Sequence, residues 1–258
     1  MTLPLVDTHA HVDEIEDLAS ALAAARAAGV VAIIAVGQGL ASNQRTLEIA
    51  REYPGFVYPA LGLHPWRLAE EDVDRCLEFI DAHAAEAIAI GEIGLDYHKR
   101  VRAIADKDRQ QAVFRELLKI AARRGQPALV HSRYAWRDAL DLVEEAGVTK
   151  AVFHWYTGTS SVLREIIDRG YYVSVTPAVE YHEEHRRAVK EAPAGQLLLE
   201  TDCPVVYGRG GAGEFRASPA DVARSLKGAA ALRGIAEEEL ARLTTENAVR
   251  LFGLDVKS

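Results

Sequence analysis

Two histidines, His9 and His11, stand one residue apart in the stretch VDTHAHVD, at the end of a short apolar run. In a β-strand, residues two apart project from the same face, so both imidazoles would point the same way. Two imidazoles aimed at one point are either a chance surface pair or two ligands of one metal ion. The rest of the sequence has to decide between these interpretations.

Four more side chains of metal-binding type occur at the ends of other apolar runs: Glu92, His131, His154 and Asp202. Each has an ordinary alternative when taken alone: a hydrogen-bonded structural histidine, a turn cap for Asp202, or half of a buried ion pair for Glu92. Four imidazoles and two carboxylates converging on one point would be costly to desolvate without a cation. The sequence therefore predicts a metal centre with six ligands: His9, His11, Glu92, His131, His154 and Asp202.

Eight short apolar runs alternate with longer amphipathic or alanine-rich segments. The runs cover residues 3–11, 30–37, 57–64, 87–96, 127–133, 150–156, 171–177 and 197–204. Helices are predicted near 15–28, 42–52, 69–84, 106–124, 134–146, 159–169, 181–192 and over a final stretch of about 219–252. This alternation predicts a parallel sheet, and eight units favour a closed (β/α)8 TIM-type barrel over an open doubly wound sheet. No proline- or serine-rich linker divides the chain, so residues 1–258 are interpreted as one domain.

The catalytic groups of such barrels lie at the C-terminal ends of the strands, where all six predicted ligands fall. His64 is placed there too and is expected to contact a phosphate or to act as a supporting hydrogen-bond donor. Asp96 and Arg133 are candidates for binding substrate or orienting ligands, with a structural ion pair as the alternative. Glu200 is expected to support the metal ligands without binding the metal.

Two further segments carry residue types that allow chemistry but predict it less specifically. The loop YGRGGAGEFRASP follows the eighth run, and its Arg209 and Arg216 suit either a phosphate-contacting loop or a solvated one. The segment HEEHRRAVK contains His182 and His185, which we interpret as part of a solvated helical face.

Composition limits the classes of function. The chain has 258 residues, 49% of them hydrophobic and 26% charged, as in an ordinary soluble globular protein. A formal net charge of −8 argues against a protein that coats long nucleic acid, but not against a phosphate ester held locally by cations. No secretory signal or membrane-length apolar run is evident, and Cys76 and Cys203 match no zinc or redox spacing. A cytoplasmic protein with two unpaired thiols is expected.

The donor set also limits the metal. Imidazoles mixed with carboxylates suit Zn²⁺, Mn²⁺, Co²⁺ or Ni²⁺ better than Ca²⁺, which prefers oxygen ligands. Six protein ligands are too many for one open catalytic ion, whereas two ions about 3.5–4 Å apart, bridged by a carboxylate and a hydroxide, would use them all. Glu92 is the best bridging candidate because its side chain can reach between two ions.

These motifs resemble the TatD family of metal-dependent deoxyribonucleases, a branch of the amidohydrolase-like barrels. The resemblance covers essentially the whole chain and rests on DTHAHVD, GLHPW, GEIGLDYH, LVHSR, FHWYTG and LLLETDCP, in the family's order, and on the closing NAVRLFGL. Three motifs depart from the commoner bacterial form: HWYTG stands for HCFSG, LDYH for LDYY and HSRYA for HSRDA. These departures remove no proposed ligand but alter the groups that line the mouth of the barrel.

The resemblance implies how the ligands are shared between two ions. His9, His11 and Asp202 would bind the first ion, His131 and His154 the second, and Glu92 would bridge them. His64 matches a position on the substrate side of the site. The expected cofactors are two divalent ions drawn from Mg²⁺, Mn²⁺, Zn²⁺, Co²⁺ and Ni²⁺.

The leading functional hypothesis is a metal-dependent deoxyribonuclease that acts on single strands or strand ends. A hydroxide activated by two cations would attack phosphorus in line, with Asp202 as general base. One alternative keeps the ions but changes the bond to that of a small ester, lactone or amide. Another is a non-enzymatic scaffold with a structural metal, but such sites are closed, whereas this donor set with glycine-bearing loops around it favours an open one.

Overall fold

The computed structural model describes residues 3–255, in which eight parallel strands form one sheet in chain order. The strands are β1 (Leu5–Ala10), β2 (Val30–Val36), β3 (Val57–Leu61), β4 (Ala89–Gly94), β5 (Ala128–His131), β6 (Ala151–Phe153), β7 (Tyr172–Val175) and β8 (Leu197–Leu199). A parallel bridge between Ala10 and Cys203, just beyond β8, brings the last strand back to the first. The predicted (β/α)8 barrel is confirmed, although the strands are shorter than the apolar runs that predicted them.

Ten α-helices, besides short 3-10 turns, connect and follow the strands within residues 3–255. They are α1 (Leu18–Ala27), α2 (Leu40–Glu52), α3 (Val73–His83), α4 (Lys99–Arg102), α5 (Lys107–Arg124), α6 (Trp136–Glu145), α7 (Ser160–Asp168), α8 (Glu183–Glu191), α9 (Val222–Arg233) and α10 (Glu237–Phe252). The short helix α4 was not predicted. The helical stretch predicted over about 219–252 is divided into α9 and α10, because Gly234 takes a left-handed conformation (φ 67°) that ends α9.

Side chains inside the barrel form an apolar floor beneath the strand ends. Successive strand residues alternate between the surrounding helices and the interior. The interior set is buried and, apart from Tyr172, small or branched: Val6, Ala32, Ile34, Val36, Ala60, Ala89, Leu129, Val152, Tyr172 and Leu198. Leu251 and Phe252 at the end of α10 pack against the same cluster. The barrel is therefore filled below, and polar groups at its C-terminal end are reached from that end.

The glycine-rich loop after β8 contains a short antiparallel ribbon, formed by β9 (Val206–Tyr207) and β10 (Phe215–Arg216). The Tyr207 ring stacks on Phe215 and lies 5.4 Å from the ring of Trp155, so aromatic contacts attach the ribbon to the rim of the barrel. Arg209 and Arg216 are both exposed on this ribbon and its turn.

Cys76 and Cys203 are buried and unpaired, as expected. Within the described part of the chain, every helix is too short or too polar to span a lipid bilayer.

Candidate metal centre

All six predicted ligands meet at the C-terminal end of the barrel. Five of them are buried, and the His131 side chain is only 13% exposed. They converge because parallel strands all end at the same rim, so inward-facing residues at their ends share one small volume. The two carboxylates, Glu92 and Asp202, come from opposite sides of this volume, at the end of β4 and just after β8.

One oxygen of Glu92 faces the histidine pair of β1. Its Oε2 lies 3.5 Å from Nε2 of His9 and 3.5 Å from Nε2 of His11. Oδ1 of Asp202 lies 3.6 Å and 3.3 Å from the same two nitrogen atoms. Two imidazole nitrogens and two carboxylate oxygens therefore surround one point.

The other oxygen of Glu92 faces a second histidine pair. Its Oε1 lies 2.9 Å from Nδ1 of His131 and 2.9 Å from Nε2 of His154, and these two nitrogens are 3.2 Å apart. Glu92 thus stands between two groups of donors, with one oxygen turned toward each.

The donors of the first group fit a divalent cation. Both ring nitrogens of His9 are buried without a hydrogen-bond partner, which is costly for an imidazole that binds nothing. Nε2 of His9 lies farther from the carboxylate oxygens of Glu92 and Asp202 than the donor and acceptor of a good hydrogen bond do. Ligand atoms that each lie about 2.1 Å from a shared tetrahedral ion are about 3.4 Å from one another, which matches these separations.

Charge in the cluster is balanced by its own histidines. Burial lowers the pKa of His11, but the hydrogen bond to Asp202 and the charge of Glu92 outweigh burial and raise it to about 9. Burial raises the pKa of Glu92, but the facing imidazoles, His64 and His154 foremost, hold it well below its usual range. Protons and cations therefore compete for the same donors, as at any metal centre built from histidine.

Two carboxylates outside the ligand set orient the second histidine pair. Nε2 of His131 lies 3.1 Å from Oδ2 of Asp96, which turns Nδ1 toward Glu92. Nδ1 of His154 lies 3.4 Å from Oε2 of Glu200, which turns Nε2 toward the same oxygen. Such carboxylate–histidine pairs fix the tautomer and direction of metal-binding imidazoles. Glu200 lies where the sequence-based interpretation expected it.

Asp96 is fully buried, and its carboxylate is occupied on several sides. Besides His131, it accepts hydrogen bonds from Nε1 of Trp66 at 2.7 Å and from the guanidinium of Arg133, whose Nη2 lies 2.8 Å away. Burial raises the pKa of Asp96, but the His131, Trp66 and Arg133 contacts lower it further than burial raises it. The structure thus contains the Asp96–Arg133 ion pair, which was the alternative to a role in binding substrate or orienting ligands. Arg133 lies at the rim, and 37% of its side chain is exposed.

His64 is buried at the same site, with Nε2 3.4 Å from Oε1 of Glu92. Its Nδ1 accepts the backbone N–H of Trp66 at 3.1 Å. Burial lowers the pKa of His64 to about 4, so its ring is neutral near pH 7. A neutral ring that accepts at Nδ1 carries its proton on Nε2 and donates there, so His64 is placed as a donor beside the ligands.

The interpretation of His185 as part of a solvated face is wrong. His185 is 1% exposed; its Nε2 accepts the N–H of Thr176 at 3.1 Å and its Nδ1 donates to the carbonyl of Tyr156 at 3.1 Å. His185 shares the buried face of α8 with Ala188 and Val189, three and four residues on, and this spacing was the available signal. His182, by contrast, is partly exposed at the start of α8.

Asp7 is a supporting residue that the sequence-based reasoning missed. Its buried carboxylate accepts the backbone N–H of Thr201 at 3.0 Å and the Thr201 hydroxyl at 2.6 Å. These bonds tie β1, which carries His9, to the segment that carries Asp202. The feature of the sequence that could have indicated this role is an acidic residue, Asp7, inside the apolar part of the first run. The strand ends thus form a reinforced cluster of side chains that can bind divalent cations.

Comparison with known proteins identifies the family. The family described as TatD related DNase matches residues 6–253. Human deoxyribonuclease TATDN3 is 33% identical over 261 residues, covering 96% of this chain and 94% of its own length. YabD of Bacillus subtilis, an uncharacterized metal-dependent hydrolase, is 34% identical over 261 residues, covering 97% of this chain and 100% of its own length.

A solved structure agrees with these relatives. The crystal structure of YJJV, a TatD homologue from Escherichia coli, matches with a TM-score of 0.88 at 29% identity, covering 98% of this chain and 99% of that one. The expected family and the expectation of a TatD-like metal-dependent hydrolase are confirmed. The chain belongs to the TatD related DNase family.

Proposed function

We propose that this member of the TatD related DNase family hydrolyses phosphodiester bonds of DNA, on single strands or strand ends, with two divalent ions that share Glu92. The observation that carries the proposal is the position of Glu92, whose Oε2 faces His9 and His11 while its Oε1 faces His131 and His154. A carboxylate with a separate donor group at each oxygen suits a pair of ions better than one ion. The proposed hydrolase is a single domain, residues 1–258.

The residues divide between two binding positions. The first would use His9, His11, Asp202 and Glu92, and the second His131, His154 and Glu92. Divalent cations bound there would supply positive charge to the phosphate and lower the pKa of a water molecule. The donors suit Mn²⁺, Zn²⁺, Co²⁺ or Ni²⁺, and Mg²⁺ remains a candidate.

The chain's own side chains would handle protons and position the ester. Asp202 presents Oδ1 to the first donor group and has 11% of its side chain exposed, so it can accept a proton from the attacking water. His64, with its proton on Nε2, can donate to a phosphate oxygen beside Glu92. Arg133 adds a fixed cation at the rim, because Asp96 holds its guanidinium.

The fold favours binding of DNA at one phosphodiester instead of along a long stretch of the strand. The floor of the barrel is filled with apolar side chains, so a phosphodiester can reach the centre only from the C-terminal end. The net charge of −8 disfavours long wrapping contacts with nucleic acid. Both features favour a substrate that presents one accessible phosphate, as a flexible single strand or a strand end does.

The test is hydrolysis of end-labelled single-stranded DNA by protein stripped with a chelator and resupplied singly with Mg²⁺, Mn²⁺, Co²⁺ or Zn²⁺. A His9→Ala, His11→Ala double variant removes donors of the first position. A His83→Ala variant, which loses a partly exposed histidine on α3, is the matched control. Cation-dependent cleavage by the wild type and the control, and none by the double variant, would support the proposal. Metal binding without cleavage of any DNA would contradict it and favour a small ester, lactone or amide as substrate.

A further inference from the structure

The most exposed large apolar side chains all lie at one end of the barrel. Within residues 3–255 they are Trp66, Ile104, Tyr134 and Tyr181, with exposures of 46%, 47%, 59% and 49%. They lie in the loops that follow β3, β4, β5 and β7, which is the end where the metal centre opens. Apolar side chains exposed together on one face indicate a binding surface.

Trp66 is exposed but rigidly held. Its indole Nε1 donates to the buried Asp96 at 2.7 Å, and its backbone N–H donates to Nδ1 of His64 at 3.1 Å. Its ring also meets the His64 ring edge-to-face, with centroids 5.2 Å apart. An aromatic ring already fixed beside the ligand cluster loses little conformational entropy when a planar group stacks on it.

Tyr134 is exposed next to Arg133 in the chain. Its backbone has φ 58°, a conformation unfavourable for a bulky side chain and commonest at functional sites. Its ring stacks at 6.1 Å on His98 and meets Trp136 at 5.9 Å. The guanidinium of Arg133, the residue before Tyr134, lies 5.2 Å from the centre of the Trp66 ring, so the segment that carries Tyr134 contacts Trp66.

A basic turn lies on the same side, directly after His98. Lys99, Arg100 and Arg102 in α4 are all exposed. Within the described residues, none of the three forms an ion pair with a carboxylate, whereas surface arginines elsewhere commonly do, as Arg137 does with Glu165. Three exposed, unpaired cations in one turn are therefore notable in a chain of net charge −8.

We propose that the exposed rings of Trp66 and Tyr134 stack on unpaired bases of a single-stranded DNA substrate while the basic turn of Lys99, Arg100 and Arg102 binds its phosphates. The inference rests on the proposed function and names the feature that selects single strands. Aromatic rings and cations along one path are the recognition elements of single-stranded nucleic acid. In a duplex the faces of the bases are covered by their neighbours, so stacking favours unpaired bases of any sequence.

The test compares two substrates of about 12 nucleotides, one with bases and one abasic throughout, so that only stacking distinguishes them. Tyr134→Ala should raise KM for the base-bearing strand about tenfold and raise KM for the abasic strand much less. Tyr134→Phe keeps the ring and should restore the wild-type KM for the base-bearing strand. Circular dichroism and metal content show whether each variant is folded and loaded.

The basic turn is tested by a Lys99→Ala, Arg100→Ala double variant. It should raise KM for both substrates by the same factor and make binding less dependent on salt, because it removes phosphate contacts. The stacking proposal would be overturned if Tyr134→Ala changed KM equally for the two substrates, or changed KM for neither. In that case DNA hydrolysis by the wild type would still support the proposed function. If the wild type cleaves neither strand with any ion, the proposed function fails and this inference fails with it.

Discussion

Nε2 of His131 lies 3.1 Å from Oδ2 of Asp96, a carboxylate that is wholly buried. That contact fixes the other ring nitrogen of His131, Nδ1, at 2.9 Å from Glu92. In the proposed two-ion centre, the orientation of His131 would thus be set by a residue outside the donor set. Glu200 has the same relationship to His154.

Replacing Asp96 by Asn should weaken metal binding. The amide cannot supply the negative charge that orients and polarises His131, and loss of such a partner typically costs about 10–100-fold in affinity. Competition with a chromophoric chelator measures the change. Asp81→Asn, which loses surface ion pairs to Arg123 and Arg124 on α5, is the matched control and should bind metal like the wild type. Wild-type affinity in Asp96→Asn would contradict the assigned role.

Replacing Asp202 by Asn should reduce turnover far more than substrate binding. Asp202 has φ 48°, and Asn is among the residues that tolerate this left-handed conformation, so the backbone should be retained. Loss of a general base typically lowers kcat by about 10²–10⁴. Steady-state kinetics with saturating metal measure kcat and KM separately. Equal losses in binding and turnover would count against Asp202 as the base.

The buried His185 should make the protein less stable in acid. Burial lowers its pKa from 6.5 to about 4, so the unfolded chain binds the proton first as pH falls. The contribution of uncharged His185 to the free energy of unfolding is therefore fully present above about pH 6.5. It is lost as pH falls toward 4, at about 1.4 kcal/mol per pH unit or about 3 kcal/mol in all.

His185→Gln tests this pH dependence, because Gln can keep both hydrogen bonds and does not titrate. Urea unfolding at several pH values gives the free energy of unfolding for each protein. The wild type should lose about 3 kcal/mol more than the variant between pH 6.5 and 4. Parallel pH profiles for the two proteins would show that His185 does not contribute.

Gly94 at the end of β4 should not tolerate a side chain. It has φ 143°, and a Cβ there would lie 2.0 Å from the carbonyl oxygen of His131. Gly94→Ala should therefore displace β5 and cost several kcal/mol of stability, together with metal affinity. Gly147→Ala is the matched control, since φ is 71° but no atom lies within 4 Å, and it should cost about 1–2 kcal/mol. Similar losses in both variants would contradict the steric argument.

The sequence predicted which histidines and carboxylates meet at the rim of the barrel, because its signals are local. Each ligand closes an apolar run, and parallel strands must bring their ends to one rim. Six histidines and carboxylates at five strand ends therefore predicted one cluster before any distance was known. The barrel followed from the same alternation of strands and helices.

Beyond the support by Glu200 and the Asp96–Arg133 ion pair, the supporting contacts were not predicted, because they join segments far apart in the chain. Asp96 meets Trp66 and Arg133 only when the ends of β3, β4 and β5 are adjacent. His185 bonds to backbone atoms of Thr176 and Tyr156, and a backbone atom has no identity that a sequence pattern can show. Residues whose roles depend on distant backbone geometry are the ones that sequence reasoning missed or misplaced.

The most direct test of the two-ion account is a titration of hydrolysis with Mn²⁺. Protein stripped of metal is held well above the dissociation constant of the ions, and cleavage of end-labelled single-stranded DNA is measured as Mn²⁺ is added. If two ions share Glu92 and both are needed, the rate rises until two equivalents are present and then stays constant. A rate that is complete at one equivalent, or cleavage that never appears, would contradict the account.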